Sequence, residues 1–70
     1  MDAQTKAIGE YVKDKGINLA KMSRVTGIPY MSLYDSLLND SRDRNLRAGE
    51  YMQVCKFLGV NSLDFAGEME

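Results

Sequence analysis

The stretch Asn18-Leu-Ala-Lys-Met-Ser-Arg-Val-Thr-Gly-Ile-Pro-Tyr-Met-Ser-Leu-Tyr-Asp-Ser-Leu-Leu38 decides how this chain folds. It predicts a short helix, a sharp turn and a second short helix. Asn18 is a favoured N-cap, because its side-chain oxygen can accept a hydrogen bond from a backbone N–H of the first turn. The helix it opens is expected from Leu19 to about Val25. Gly27 supplies the positive φ that a sharp turn between helices usually demands. Ile28 is apolar and is placed to plug the corner. Pro29 has a φ suited to the first helical position, so the second helix is expected from Pro29 to about Leu38. Leu33 and Leu37 form its inward stripe, which turns Tyr30, Met31 and Tyr34 outward.

Working outward, Ala3 to about Lys15 reads as an earlier helix. Ile8, Tyr11 and Val12 recur at i, i+3 and i+4, the spacing of a face turned to a core. Asp2 can cap its start, Lys13 and Lys15 suit the negative end of its dipole, and Gly16 ends it. Ile17 connects it to Asn18. Beyond Leu38, residues 39–45 (Asn-Asp-Ser-Arg-Asp-Arg-Asn) contain nothing apolar and predict an exposed loop. Leu46 anchors the chain again. A further helix is expected from Arg47 or Ala48 to Leu58, with Tyr51, Val54, Cys55 and Leu58 inward and Gly59 ending it. Val60 packs, Asn61 or Ser62 caps, and Leu63 to Phe65 makes a short last turn. Residues 67–70 are expected to fray. Met22 reads as core filler; Met1, Met52 and Met69 are expected at the surface or the ends. No strand is expected, so the class is all-α: a bundle of four to five helices forming a single domain over residues 1–70.

At 70 residues the chain supports only a thin core. Apolar residues make up 44% and charged residues 27%, which suits a globular domain. No apolar run approaches the ~20 residues of a membrane span, and no secretory signal precedes the first helix, so a cytoplasmic location is expected. The single cysteine, Cys55, lies in an apolar helical pattern. It reads as a small buried thiol, because the chain has no histidine to activate it. Net charge is −1. The charge is unevenly spread: residues 21–47 carry five basic groups (Lys21, Arg24, Arg42, Arg44, Arg47) against three acidic (Asp35, Asp40, Asp43). Residues 48–70 carry one basic group against four acidic. The middle is locally positive, and the local field counts for more than the total near an anionic partner.

Helix, sharp turn and helix together make the layout of a helix-turn-helix over about 18–38. Residues Asn18–Leu38 resemble the motif of the phage repressor and Cro-type, or xenobiotic-response-element-type, family. Counting from Leu19 as the first motif position, that family places apolar and small residues fourth and fifth, glycine ninth, and aliphatics tenth and fifteenth. Here these are Met22, Ser23, Gly27, Ile28 and Leu33. Thr26-Gly-Ile-Pro-Tyr-Met-Ser-Leu-Tyr34 is the most specific piece, since turn and helix start agree in register. Leu46–Val60, closing in Phe57-Leu-Gly-Val60, is similar to the helix that follows the motif. The resemblance spans Ile8 to Phe65, and is to small proteins of phage and prophage-bearing bacterial genomes. Three departures stand out. Leu19 replaces a frequent phosphate-binding glutamine. Ser23 replaces a frequent alanine, and its hydroxyl can bond a carbonyl four residues back. An aromatic, acidic face replaces one rich in glutamine and arginine.

The resemblance implies a fold like that of the lambda repressor and a recognition helix, about 29–38, lying in the DNA major groove. Motif positions eleven to thirteen and sixteen to seventeen face bases in the family; here these are Pro29, Tyr30, Met31, Tyr34 and Asp35. A tyrosine hydroxyl can bond a base edge or a phosphate, and Met31 can touch a thymine methyl. The alternative is that these side chains cover exposed apolar surface or meet a protein. Asp35 could accept from cytosine N4, pair with Lys21 or a loop arginine, or be an ordinary surface charge. Arg42, Arg44 and Arg47 fall where the family clamps the phosphate backbone, and the guanidinium fork suits that task. The alternative is a solvated loop in which Asp40 and Asp43 are their partners. Asn18 matches a phosphate-contacting position and also caps its helix. Lys21 and Arg24 face outward on the preceding helix and are weaker candidates.

Two functions are compatible with these residues. One is a sequence-specific DNA-binding regulator resembling a repressor or Cro, binding double-stranded operator DNA as a homodimer through its C-terminal part, near the nucleoid of a bacterial cell. The other is a protein-interaction module on the same fold, such as an antirepressor or antitoxin-like adaptor. An enzyme is not expected: no catalytic residues, metal set or cofactor-binding loop are recognised, since there is no histidine and no phosphate-binding glycine loop.

Overall fold

Local signals both start and stop three of the five helices. In the computed structural model, residues 2–39, 41–42 and 44–66 are described, the side chains of Phe65 and Ala66 excepted. Helix α1 spans Ala3–Lys15, and the Asp2 carboxylate accepts from the Thr5 N–H at its start. Helix α2 spans Leu19–Thr26, with the Asn18 side chain accepting from the Lys21 N–H. Helix α3 spans Tyr30–Leu37, α4 Ala48–Leu58 and α5 Ser62–Ala66. The Asn61 side chain accepts from the Leu63 N–H and so caps α5. Helices α1, α2 and α4 end at Gly16, Gly27 and Gly59, all in the left-handed region, where a side chain would be strained.

The helical faces close on one core. Ile8 and Val12 of α1, Leu19 and Met22 of α2, Leu33 and Leu37 of α3, and Val54 and Cys55 of α4 are buried with Ile28 and Leu46. Ile17, Leu38, Tyr51, Phe57, Leu58 and Val60 pack around them half-buried. Helix α1 lies against α3 and α5, α2 against α3 and α4, and α4 against α5. The described residues are therefore all-helical, and none of them forms a strand. No helix among them is long and apolar enough to cross a membrane.

Two buried positions on α1 carry no large apolar group. Thr5 is 1% exposed, and its hydroxyl accepts the Leu46 N–H at 3.0 Å, tying the return of the long loop to α1. The Asp2 N–H donates to the Asn45 side chain beside it. Gly9 is buried where α1 meets the end of α3: a β-carbon there would lie 2.6 Å from the Leu37 carbonyl oxygen. Gly9 thus permits a backbone approach that any side chain would block.

Cys55 is buried, as its spacing predicts. Burial pushes its thiol pKa up, with the Asp64 carboxylate adding to the effect and the Tyr51 hydrogen bond opposing it. Burial, the neighbouring Cys55 sulfur and then Asp64 push the Tyr51 phenol up to about 12. The Tyr51 hydroxyl donates to the Ser62 carbonyl, fastening α5 to α4.

Several expectations need correction. Pro29 is the N-cap of α3 and not its first helical residue. Its ψ of 139° is extended, and its carbonyl accepts the first helical bond, from the Leu33 N–H. The Ile28 carbonyl, which would accept the first helical bond if Pro29 lay inside the helix, is taken by the Ser23 hydroxyl, so the helix begins one residue later. Helix α2 runs one residue beyond Val25, and α3 stops at Leu37. Ser23 does not bond a carbonyl four residues back. Its hydroxyl donates forward to the Ile28 carbonyl at 2.7 Å, because the left-handed Gly27 brings Ile28 back over α2. Thr26 makes the backward bond, to the Met22 carbonyl at 2.7 Å. The expected fraying of 67–70, the places of Met1 and Met69 and the roles of Asp40 and Asp43 fall outside the described residues.

Candidate nucleic-acid interface

The link between α2 and α3 is braced on both sides. The Ser23 hydroxyl and Thr26 Oγ1 hold the carbonyl and the N–H of Ile28, the latter bond being 3.3 Å long. Ile28 itself is buried and Pro29 has a fixed φ. Leu33, Ser36 and Leu37 seat α3 on the core. The orientation of α3 is therefore set by hydrogen bonds and packing at both ends.

What α3 leaves outside is the face the sequence predicts. Tyr30 is 45% exposed, Met31 60% and Tyr34 37%. The two tyrosine rings stack, with centroids 6.5 Å apart and planes 19° from parallel, within the usual range for aromatic pairs. Each ring restricts the other, so the face is partly ordered in advance. Met52 and Leu63 are also exposed, on α4 and α5. Asp35 is half-buried, and its carboxylate accepts from the Asn39 side chain at 3.3 Å. No ion pair with Lys21 or a loop arginine is seen among the described residues. Pro29 is exposed beside this face.

The candidate phosphate-binding residues separate into two groups. Asn18, Lys21, Arg42 and Arg47 are exposed, as is Arg24. The Asn18 side-chain oxygen is occupied in capping, which leaves its NH2 group to donate elsewhere. Arg44 is different. One guanidinium nitrogen donates to Ser36 Oγ at 2.6 Å and to Glu50 Oε1 at 3.2 Å, and the other donates to Glu50 Oε2 at 3.0 Å. The planar fork matches a carboxylate as well as it matches a phosphate. Arg44 therefore clamps the end of α3 to the start of α4, and its charge is already met.

Glu50 completes this network by accepting the Arg47 backbone N–H at 3.0 Å, which satisfies an open donor at the start of α4. Partial burial works to raise its pKa. The hydrogen bonds from Arg44 and the Arg47 backbone, with both positive charges, outweigh that and bring it below the ordinary 4.5.

Ser36 and Glu50 are the residues that sequence reasoning missed. Ser36 follows Leu33 by three and so shares the inward face of α3. Glu50 stands three residues after the N-cap Arg47, the position from which a glutamate reaches back. Among the described residues no three His, Cys, Asp or Glu side chains gather as a metal site requires. Comparison with protein-family models, curated proteins and solved structures returns no match.

Proposed function

We propose that this chain is a sequence-specific DNA-binding regulator, in which α2 and α3 form a helix-turn-helix of the repressor and Cro type. In this reading α3 enters the major groove, Tyr30, Met31, Tyr34 and Asp35 meet base edges, and Asn18, Lys21, Arg42 and Arg47 meet phosphates. The observation that carries it is the braced turn at Ser23–Pro29, which holds an exposed face of α3 away from the core. Such modules bind as pairs on half-sites about one helical turn (~34 Å) apart, because one module buries too little surface for tight binding. A homodimer in the bacterial cytoplasm, occupying an operator and excluding polymerase, is the corresponding mode of action.

The test is retention of random DNA duplexes by the purified chain at about 50 and 200 mM salt, with sequencing of what is retained. An enriched motif with two-fold symmetry is expected. If each module neutralises about three phosphates, affinity should fall roughly 40-fold per module over that salt range. No retention by the folded protein at the lower salt would refute this reading.

Two observations favour a second reading, a protein-interaction module without DNA binding. Helix α3 has no cation, and Arg44 is held internally by Glu50. Charge reversal at Arg42 separates the two readings: it should weaken a DNA complex at every sequence and leave docking of a protein on Tyr30, Met31 and Tyr34 unaltered.

A further inference from the structure

Helix α3 has an unusual inventory for reading bases. Tyr-Met-Ser-Leu-Tyr-Asp-Ser-Leu contains no arginine or lysine to grip guanine O6 and N7. It contains no asparagine or glutamine to grip adenine N6 and N7. Its one carboxylate, Asp35, suits cytosine N4 but is half-buried, with one oxygen already accepting from Asn39, so it can add at most a secondary contact. What projects is a thioether and two phenol rings, with Met31 the most exposed of the three. The C5-methyl of thymine is the base-edge group in the major groove that offers an apolar contact. A flexible thioether beside two stacked rings is an apolar surface of matching kind.

We propose that α3 reads thymine through its C5-methyl group, with the Met31 side chain and the ring edges of Tyr30 and Tyr34 as the receptor. This rests on the DNA-binding reading above, and it names the chemistry that reading leaves open. The stacking of Tyr30 on Tyr34 partly orders the walls before binding, and the braced Ser23–Pro29 turn fixes the place of α3 relative to the core. The tyrosine hydroxyls remain available to donate to phosphate oxygens, which adds affinity with little sequence preference. Specificity then comes from excluding water between methyl and thioether. Exposed charge elsewhere on the chain supplies the salt-dependent part of the affinity.

The experiment uses the whole chain and duplexes recovered from a random pool at about 50 mM salt. Each recovered duplex is resynthesised with deoxyuridine in place of thymidine, which removes the methyl and preserves base pairing. Burial of one such carbon group corresponds to about a fourfold change in affinity. Two contacted thymines should therefore weaken the deoxyuridine duplex roughly fifteenfold. Met31→Ala, at an exposed position where folding is preserved, should narrow that difference. Circular dichroism is used to check that the variant is folded. Equal binding of thymidine and deoxyuridine duplexes by a chain that does select DNA would overturn the methyl reading and leave the DNA-binding reading standing. So would recovered sites without thymine. A difference surviving both Met31→Ala and Tyr34→Ala would place the methyl contact off α3 and overturn the proposal. Failure of the folded chain to retain any duplex overturns both readings together.

Discussion

Replacing Gly9 by alanine should destabilise the protein, although the position is inside a helix. In an open helix the change is favourable by about 0.8–1.0 kcal/mol, because alanine has the higher helix propensity. Here the added β-carbon would stand 2.6 Å from the Leu37 carbonyl oxygen and 3.4 Å from its carbon. To reach an ordinary contact of 3.4 Å, α1 and α3 must separate by about 0.8 Å at that point. Both partners are backbone, so no rotamer change can relieve the clash. Overpacking of this kind costs about 1–3 kcal/mol, and a backbone clash belongs in the upper half of that range. Subtracting the propensity gain leaves a net loss of about 1–2 kcal/mol. At about 4–8 °C per kcal/mol for a domain this small, Tm should fall by roughly 4–16 °C. Gly49 is the internal control. It lies in the first turn of α4, and a β-carbon there meets nothing within 4 Å. Gly49→Ala should leave Tm unchanged or raise it by a few degrees. Thermal and urea unfolding followed by far-ultraviolet circular dichroism read both variants. If Gly9→Ala proves as stable as Gly49→Ala, then α1 does not approach the end of α3 as described.

Three further outcomes follow from the Arg44 network and the buried thiol. Arg44→Ala should cost about 1–3 kcal/mol in urea unfolding, since it strands the buried Ser36 hydroxyl as well as removing an ion pair, whereas Arg42→Ala should stay within about 0.5 kcal/mol. Equal effects of the two would show that the clamp contributes nothing to stability. The lowered pKa of Glu50 means that the unfolded chain binds its proton more readily. Its contribution is present above the ordinary carboxylate pKa near 4.5 and is lost as pH falls through the lower folded value. Glu50→Gln should therefore flatten the loss of stability below about pH 4.5, and an unchanged pH profile would contradict the network. Finally, Cys55, 2% exposed with a raised pKa, should resist a thiol reagent at pH 7 in the native protein and react fully in urea; rapid native reaction would contradict its burial.

The helices were legible because their signals are local. Asp2 and Asn18 cap, Gly16, Gly27 and Gly59 terminate, and apolar residues recur at helical spacing. Each depends on the backbone within one or two turns. The outward aspect of Tyr30, Met31 and Tyr34 followed from the same periodicity, once Leu33 and Leu37 were turned inward. The partners of the polar residues were not legible in this way. Arg44 looked like a phosphate ligand because it falls where the resembled family clamps the phosphate backbone and its fork suits that task, but Ser36 and Glu50 reach it from α3 and α4, eight and six residues away. Ser23 looked set to bond backward along its helix, yet the path of the chain beyond Gly27 brings the Ile28 carbonyl to it. Gly9 carried no local signal, since its reason lies on α3. The sequence by itself determined where helices begin and end and which faces are apolar, because those follow from backbone geometry and side-chain spacing. Only the tertiary structure decided which charges are spent internally and which remain exposed, because a hydrogen bond or a backbone contact between distant residues exists only once the helices are packed.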